Sequence, residues 1–273
     1  MDEIFVSGSW GSGAVSAFGA TVTSWRPGGD EWLFVAGDAQ PGPGASEHAG
    51  IPLCAPWFGV GQGDWMPPHK HGLVRLVQWD VVDVVELDDE ARVRLAVDAA
   101  RFAGLPGADR YPADLAFSLE IRFGRRLEYA LTVLSPSQGF AMDHGLHPYF
   151  AVSDLSTVSL DGLEGVAFRD YAQDGATGVS DAPVRFGHHI DRVYDDAPAL
   201  ILRDGDRALR LNAEGAGSSI VWSPGVESGP ATGGLAGDEW RRFVCVEYGN
   251  VQGQATLLKP GVPHTLRMTA TVD

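Results

Sequence analysis

Two histidines stand close together near the middle of the chain, in the segment Asp143-His144-Gly145-Leu146-His147-Pro148-Tyr149-Phe150. The imidazole side chain titrates near neutral pH, so both residues are candidates for proton transfer. Pro148 fixes the backbone directly after His147 and so restricts how that side chain is presented. The alternative is a structural turn between two strands, with His147 as a hydrogen-bonded core residue. The motif alone does not decide, because a short motif needs a structural context to become a site.

A carboxylate far along the chain, Glu247, is a second candidate for proton transfer. It lies in the apolar segment 243–250, where Phe243, Cys245 and Glu247 would share one face of a strand and two valines the other. Both faces are therefore largely apolar. In a desolvated site, burial would raise the pKa of this carboxyl group and make the carboxylate a better base near neutrality. The alternative is a strand end whose carboxylate is solvated.

Six of the eight histidines fall in three close pairs, which are His69 with His71, His144 with His147, and His188 with His189. On a strand, the spacing of His69 and His71 would place both rings on one face, as in some metal sites. Such a site also needs a carboxylate a few residues later, and the first acid after His71 is Asp80. We therefore expect no metal ion here.

Several other residues could contact a ligand. Asp191 and Arg192 are adjacent, a pattern that is most often a surface ion pair of little energetic consequence. Trp57, Trp222 and Tyr149 could offer flat apolar faces to a ligand, although most aromatic residues of a β-protein belong to its core.

The composition limits the class of protein. The chain has 273 residues, of which 44% are hydrophobic and 21% are charged, as is ordinary for a globular protein with a sizeable core. A formal net charge of -16 without a block of basic residues disfavours nucleic acids and anionic membranes as partners. The first five residues are acidic where a secretory signal would be basic, and no apolar run approaches a membrane span. With only Cys54 and Cys245, both in apolar stretches, we expect buried reduced thiols and a cytoplasmic protein.

Alternation of apolar and polar side chains predicts strands. Residues 115–123 and 127–133 alternate on either side of a short connection that begins at Gly124, which predicts a hairpin. Shorter runs with the same pattern are residues 208–211, 218–222, 243–246 and 266–272. No window predicts a capped amphipathic helix. The chain is therefore predicted to be all-β, a large antiparallel β-sandwich in one domain spanning residues 1–273.

Three segments in the first quarter of the chain lack this long alternating pattern. Residues 32–35 predict another short strand, and residues 37–48, which are rich in Gly, Pro, Ala and Ser, predict a loop. The apolar segment 50–59 contains two prolines, so it cannot be a central strand along its whole length. Apolar and aromatic side chains on irregular backbone are typical of a pocket wall.

Six short motifs then occur in order along the chain. They are Gly19–Trp25, Gly50-Ile51-Pro52, His71-Gly72-Leu73-Val74-Arg75, Leu146-His147-Pro148-Tyr149-Phe150, Asp191-Arg192-Val193-Tyr194 and Val244-Cys245-Val246-Glu247. In order and approximate spacing they resemble the aldose 1-epimerase superfamily, and most closely its hexose-6-phosphate mutarotase, or glucose-6-phosphate 1-epimerase, branch. The resemblance implies a galactose mutarotase-like supersandwich that uses no cofactor and interconverts the α and β anomers of an aldohexose or its 6-phosphate.

By motif position, the resemblance implies that His147 is the general acid that protonates the ring oxygen. Glu247 would be the base that removes the proton of the anomeric hydroxyl, after which the ring opens, the C1–C2 bond rotates and the ring closes. His71 and Asp191 would hold sugar hydroxyls or assist the acid, and Arg75 would meet the phosphate or a hydroxyl. One acid and one base must converge on one small region, and each contributes on the order of 10²–10⁴-fold.

One position departs from the pattern of that branch. The residue two before Gly50 is usually an arginine that helps to bind phosphate, and here it is His48. Neutral histidine is a poor replacement for a bidentate guanidinium group, which leaves Arg75 and Lys70 for phosphate recognition. Both the free and the phosphorylated sugar therefore stay open as substrates of the expected monomer.

Two other functions are alternatives to the mutarotase. A non-catalytic carbohydrate-binding β-sandwich would have no need of a matched acid and base, so the presence of His147 and Glu247 favours the enzyme. A metal-dependent sugar isomerase is disfavoured because the carboxylate ligand expected shortly after His71 is missing.

Overall fold

The computed structural model describes residues 3–37, 39, 48–61, 65–67 and 69–273. The strands of the first half, in chain order, are β1 Glu3–Gly8, β2 Gly11–Ser16, β3 Thr21–Pro27, β4 Leu53–Cys54, β5 Asp80–Glu86, β6 Ala91–Asp98, β7 Ala116–Phe123, β8 Arg126–Leu134, β9 Ala141–Met142, β10 His144–Leu146 and β11 Tyr149–Ala151. Those of the second half are β12 Val158–Asp161, β13 Ala167–Asp170, β14 Ala176–Val179, β15 Val184–Arg185, β16 Ile190–Tyr194, β17 Leu200–Asp204, β18 Arg207–Glu214, β19 Ser218–Ser223, β20 Phe243–Asn250, β21 Thr256–Leu257 and β22 His264–Val272.

The helices are single turns. The α-helical turns are α1 Ala99–Phe102 and α2 Gly225–Ser228. The 3-10 turns are Val74–Leu76, Ala108–Arg110, Leu155–Thr157, Tyr171–Gln173, Gly229–Ala231, Glu239–Arg241 and Gln252–Gln254. Among the residues that the structure describes, no helix has the length and apolar character needed to cross a membrane.

Two large antiparallel sheets contain most of the strands. The nine-stranded sheet has the order β15-β12-β17-β18-β22-β8-β7-β6-β5, and the eight-stranded sheet has the order β14-β13-β16-β19-β20-β10-β4, with β11 also paired to β20. Smaller sheets are formed by β1-β2-β3 and by β21-β9. Buried side chains from both large sheets belong to one continuous apolar cluster, so the main core lies between them.

The alternating sequence pattern explains the nine-stranded sheet. Along β7, the side chains of Phe117, Leu119, Ile121 and Phe123 are buried, while the residues between them keep contact with solvent. Strand β8 pairs antiparallel with β7 across Gly124 and Arg125, which confirms the predicted hairpin. Such alternation arises because one face of the sheet covers the core and the other faces water.

Strand β20 differs because every one of its eight residues is buried. Val244 and Val246 contribute to the main core, whereas Phe243 and Cys245 belong to a second apolar cluster on the opposite face. This confirms the prediction that both faces of the strand are largely apolar. The second face carries Glu247, and the candidate site is built around it.

The predicted strand over residues 32–35 is wrong. Leu33 and Val35 form only isolated bridges, to Phe150 and Ala49 respectively, so no continuous ladder develops. The backbone N–H groups of Trp32 and Leu33 both donate to the carboxylate of Glu31, which competes with strand pairing. Of the predicted loop over residues 37–48, residues 38 and 40–47 lie outside the described part of the chain.

Candidate active site

The register of the eight-stranded sheet places His147 opposite Glu247. On one side of His147, Leu146 of β10 pairs with Tyr248 of β20; on the other side, Tyr149 of β11 pairs with Cys245. The register is the same on both sides, so His147 faces Glu247 at the point where Pro148 interrupts the ladder, having no N–H group to donate. The N–H group of His147 points away from β20 and donates to the carbonyl of Pro52 at 3.0 Å, in register with the pairing of β10 and β4.

The two side chains meet in a nearly dry environment. The Nε2 atom of His147 lies 3.5 Å from the Oε1 atom of Glu247, with relative side-chain exposures of 9% and 1%. Within the described part of the chain, the His147 Nδ1 and the Glu247 Oε2 atoms are buried and have no hydrogen-bond partner. Buried polar atoms are normally hydrogen-bonded, so two unpartnered atoms on facing side chains mark this position as a candidate site.

Burial determines the protonation of this pair. Burial raises the pKa of the Glu247 carboxyl group well above its ordinary value, and the charge of Asp191 raises this pKa further. Burial lowers the pKa of the His147 imidazole, and the charges of His71 and Arg75 lower this pKa further. Both shifts favour the neutral forms, in which Glu247 is a carboxylic acid and His147 a neutral imidazole.

His71 is a third member of this cluster. Its ring lies edge-on to that of His147, with the ring centroids 5.2 Å apart and an interplanar angle of 83°. Burial, followed by the charges of Arg75 and Lys70, lowers the pKa of His71 to about 3. A neutral imidazole is thus placed beside His147 and Glu247.

Asp191 and Trp222 reach the same face of the sheet from neighbouring strands. Asp191 on β16 pairs with Trp222 on β19, and Trp222 pairs with Cys245 on β20. Burial raises the pKa of Asp191, and Asp170 raises it too, while His189 and Lys70 oppose this shift.

The adjacent Arg192 does not form the predicted surface ion pair with Asp191. Its Nε atom instead lies 2.8 Å from the Oδ2 atom of the buried Asp170.

His48 lines the site as part of an aromatic group. Its ring is nearly parallel to the indole of Trp222, with an interplanar angle of 6° and ring centroids 6.0 Å apart. The Nε2 atom of His48 lies 3.0 Å from the carbonyl oxygen of Gly233. The residue that replaces the expected arginine is therefore tied to the backbone of another segment.

Arg75 and Lys70 provide positive charge next to the site. Arg75 is partly buried in the 3-10 turn Val74–Leu76, and Lys70 is exposed one residue before His71. The charge of Arg75 lowers the pKa of His147, and that of Lys70 lowers the pKa of Asp191, so both cations lie within electrostatic reach of the site. No carboxylate among the described residues forms an ion pair with either cation.

Trp57 is not brought together with His147 and Glu247. Its indole is 3% exposed and packs against Trp65 and Tyr111, with ring centroids 5.1 Å and 6.1 Å away. Its Nε1–H group donates to the carbonyl of His69 at 3.2 Å. These contacts hold the segment that leads to His71, and a contact from Trp57 to substrate stays a prediction.

Tyr149 was expected to offer a flat face to a ligand, whereas the sequence pattern assigned Phe58 no role and Cys54 none beyond that of a buried thiol. Tyr149 stacks on His147 with ring centroids 4.9 Å apart, and Phe58 lies 6.4 Å from the same ring. The thiol of Cys54 contacts His71, with 3.2 Å between Sγ and Nδ1. Phe58 and Cys54 belong to the apolar segment 50–59, whose irregular pattern predicted a pocket wall without identifying the residues that contact the histidines.

Comparisons with known proteins agree with this architecture. A family model described as aldose 1-epimerase matches residues 10–271. The chain is 29% identical over 256 residues to a "putative glucose-6-phosphate 1-epimerase" of Cenchrus ciliaris, covering 89% of this chain and 76% of that protein. It is 28% identical over 249 residues to a protein of the same name from Salmonella typhimurium, covering 89% of this chain and 81% of that protein.

Solved structures show the same fold. The crystal structure of a "putative mutarotase" from Salmonella typhimurium matches with a TM-score of 0.88 and 26% identity, covering 99% of this chain and 90% of that chain. A galactose 1-epimerase from Lactobacillus acidophilus shares the fold with a TM-score of 0.75 and 15% identity, covering 100% of this chain and 99% of that chain. The predicted galactose mutarotase-like β-sandwich is thereby confirmed. Because the family model spans nearly the whole sequence, the chain belongs to the aldose 1-epimerase family and is an isomerase of the epimerase or mutarotase type.

Proposed function

We propose that the protein interconverts the α and β anomers of an aldohexose, with Glu247 as the base and His147 as the acid. The observation that carries this proposal is the direct approach of the two side chains, 3.5 Å apart and both nearly excluded from water. Their remaining polar atoms have no partner among the described residues, which leaves them for the sugar. A binding module would have no use for a facing acid and base.

The proposed reaction moves two protons and needs no net change in the enzyme. The proton of the neutral Glu247 carboxyl group first moves to the His147 imidazole. The Glu247 carboxylate then takes the proton of the anomeric hydroxyl, whose O–H electron pair becomes the second bond between C1 and O1. The bond between C1 and the ring oxygen breaks, its electron pair goes to the ring oxygen, and that oxygen takes the proton of His147.

The resting protonation state matches the product of this step. After ring opening, Glu247 is a neutral carboxylic acid and His147 a neutral imidazole, the forms that burial favours. Rotation about the C1–C2 bond presents the other face of the aldehyde. Ring closure reverses both transfers: His147 takes the proton of the C5 hydroxyl and Glu247 protonates the new anomeric oxygen. The site is thus arranged to hold the open-chain aldehyde while its C1 face changes.

We propose hexose 6-phosphates as the preferred substrates, bound through Arg75 and Lys70. Two observations support this assignment: relatives that cover most of the chain are named as glucose-6-phosphate 1-epimerases, and these two cations lie next to the site. Arginine is suited to bidentate phosphate binding, and lysine supplies a point charge. With His48 at the position of a second arginine, we expect the free hexose to be accepted as well.

Exchange between anomers, measured by NMR at equilibrium, tests the proposal. Glucose and glucose 6-phosphate are compared with and without enzyme, in a buffer that does not itself catalyse mutarotation. We expect faster exchange of both sugars and a lower KM for the phosphate. His147→Gln, which keeps a neutral polar side chain but cannot protonate the ring oxygen, should lose on the order of 10²–10⁴-fold in kcat.

Two outcomes of this experiment would contradict separate parts of the proposal. No acceleration of either sugar by the parent protein would exclude the aldohexose epimerase activity. Equal KM values for glucose and its 6-phosphate would exclude only the phosphate preference.

A further inference from the structure

His71 lies in a tight turn whose backbone contacts the segment that carries Cys54. His71 itself has a positive φ of 64°, and its N–H group donates to the carbonyl of Gly59 at 2.9 Å. The next residue, Gly72, bridges to Ala55, and a side chain at Gly72 would lie 1.9 Å from the Ala55 carbonyl oxygen. Positive φ is unfavourable for a residue with a side chain, so these contacts must hold His71 in place.

The Nδ1 atom of the His71 ring faces two donors. The N–H group of Gly59 donates to it at 3.3 Å, and the Sγ atom of Cys54 lies 3.2 Å from it. A proton on Nδ1 would point at the Gly59 N–H group, so Nδ1 is the acceptor and the ring proton lies on Nε2. The Gly59 contact is long for an N–H hydrogen bond and opposes a proton on Nδ1 only weakly. The Cys54 thiol, 0% exposed, is the nearer donor to Nδ1, and its removal would leave only the weaker contact.

We propose that Cys54 is a positioning residue that holds His71 in its Nε2–H tautomer, so that His71 meets the sugar as a fixed hydrogen-bond donor. The tautomer of a neutral histidine is set by the hydrogen bonds of its other ring nitrogen. The Nε2–H group of His71 lies on the side of the ring away from Cys54 and Gly59, and His71 keeps part of its surface exposed. This places a donor, and no acceptor, beside the acid–base pair.

The arrangement distinguishes His71 from His147 chemically. Burial and the charges of Arg75 and Lys70 lower the pKa of His71 to about 3, so the ring is neutral at physiological pH. A neutral ring in the opposite tautomer would present a lone pair to the sugar and compete with Glu247 for the hydroxyl proton. The consequence for catalysis rests on the proposed function, whereas the tautomer itself can be measured without any activity.

Nitrogen NMR of the full-length protein labelled with ¹⁵N-histidine tests the proposal. Long-range ¹H–¹⁵N correlations, assigned with a His71→Gln variant, should show the proton of His71 on Nε2. In Cys54→Ala, part of the population should shift to the Nδ1–H tautomer, and kcat/KM should fall roughly three- to tenfold, the factor that one neutral hydrogen bond carries. Cys54→Ser keeps an O–H donor and should recover most of both losses.

Cys245→Ala is the matched control for the His71 signals. It also removes a buried thiol, from β20, and it should leave the His71 tautomer unchanged. Finding the wild-type proton on Nδ1 would overturn the proposal, and so would a Cys54→Ala protein with unchanged tautomer and unchanged kcat/KM. If Cys54→Ala does not fold, the wild-type tautomer and the S–H stretching band that disappears in Cys54→Ser decide instead. A band at the frequency of a free thiol would contradict the hydrogen bond.

Discussion

Replacing Glu247 by glutamine isolates the proposed base. The two side chains have nearly the same shape, so the packing of a residue that is 1% exposed is preserved. Glutamine cannot take the proton of the anomeric hydroxyl, and with 1% exposure the position leaves little room for solvent to replace the carboxylate. A general base contributes on the order of 10²–10⁴-fold, and for this enclosed position we expect the upper part of that range. A loss of about 10³–10⁴-fold in kcat corresponds to about 4 to 5.5 kcal/mol of activation free energy.

The same substitution should change the pH dependence of stability. The pKa of Glu247 is raised in the folded protein from its ordinary value of 4.5. Between 4.5 and the folded pKa, the folded chain holds a proton that the unfolded chain has lost, so the free energy of unfolding falls as pH rises. Glutamine does not titrate. The variant should therefore match the parent in acid and become increasingly more stable than the parent towards neutral pH.

Anomer exchange by NMR gives kcat, and urea unfolding across the acid-to-neutral range gives the stability difference. Glu214→Gln is the matched control, because Glu214 lies at the end of β18 with its side chain 82% exposed, and neither quantity should change. Activity of Glu247→Gln within about tenfold of the parent would refute the role as base, which must contribute at least about 10²-fold. If the parent instead gained stability over the variant as pH rises, Glu247 would be ionised in the folded site.

Three further predictions concern substrate binding and the backbone. Arg75→Gln should raise the KM for glucose 6-phosphate roughly ten- to a hundredfold and leave that for glucose nearly unchanged, as expected for a charged hydrogen bond; equal effects in the exchange assay would contradict phosphate binding. His48→Arg should lower the KM for the phosphate relative to glucose, and a rise would show that the histidine is required. Gly72→Ala should destabilise the protein by at least about 3 kcal/mol in urea unfolding, because φ is 81° and the new Cβ atom would lie 1.9 Å from the Ala55 oxygen. Gly28→Ala, with φ of 73° and no atom within 4 Å, should lose only about 1 kcal/mol, and equal losses would show that the contact has no effect.

The fold was predictable where the strands are long and have one face exposed to solvent. The pairing of β7 with β8 follows from alternation of apolar and polar side chains, which repeats often enough to define the element. Strand β4 has only two residues, Leu53 and Cys54, and its pairing with β10 depends on contacts that no local pattern contains. The order of the strands within each sheet could not be predicted from the sequence either. The assignments of one domain over residues 1–273 and of a monomer stay predictions.

The site divides in the same way between local chemistry and long-range contacts. His147 and Glu247 could be nominated because their residue types and apolar surroundings are visible in the sequence. The contact of Cys54 with His71 could not be predicted, because it depends on a positive φ and on the bridge between Ala55 and Gly72. Side-chain orientation at such a turn is set by tertiary contacts rather than by local preference.

At Pro148, a local residue type and a long-range strand pairing act together. The pairing register is identical before and after it, so a residue with an N–H group at this position could have continued the ladder between β20 and its neighbour. With proline, the sheet loses that donor beside His147, whose own N–H group points to the opposite side of the strand and donates to Pro52. The two strands thus stay in register while the ladder opens at one point. The buried His147 and Glu247, on neighbouring strands, face each other there with polar atoms that have no partner among the described residues.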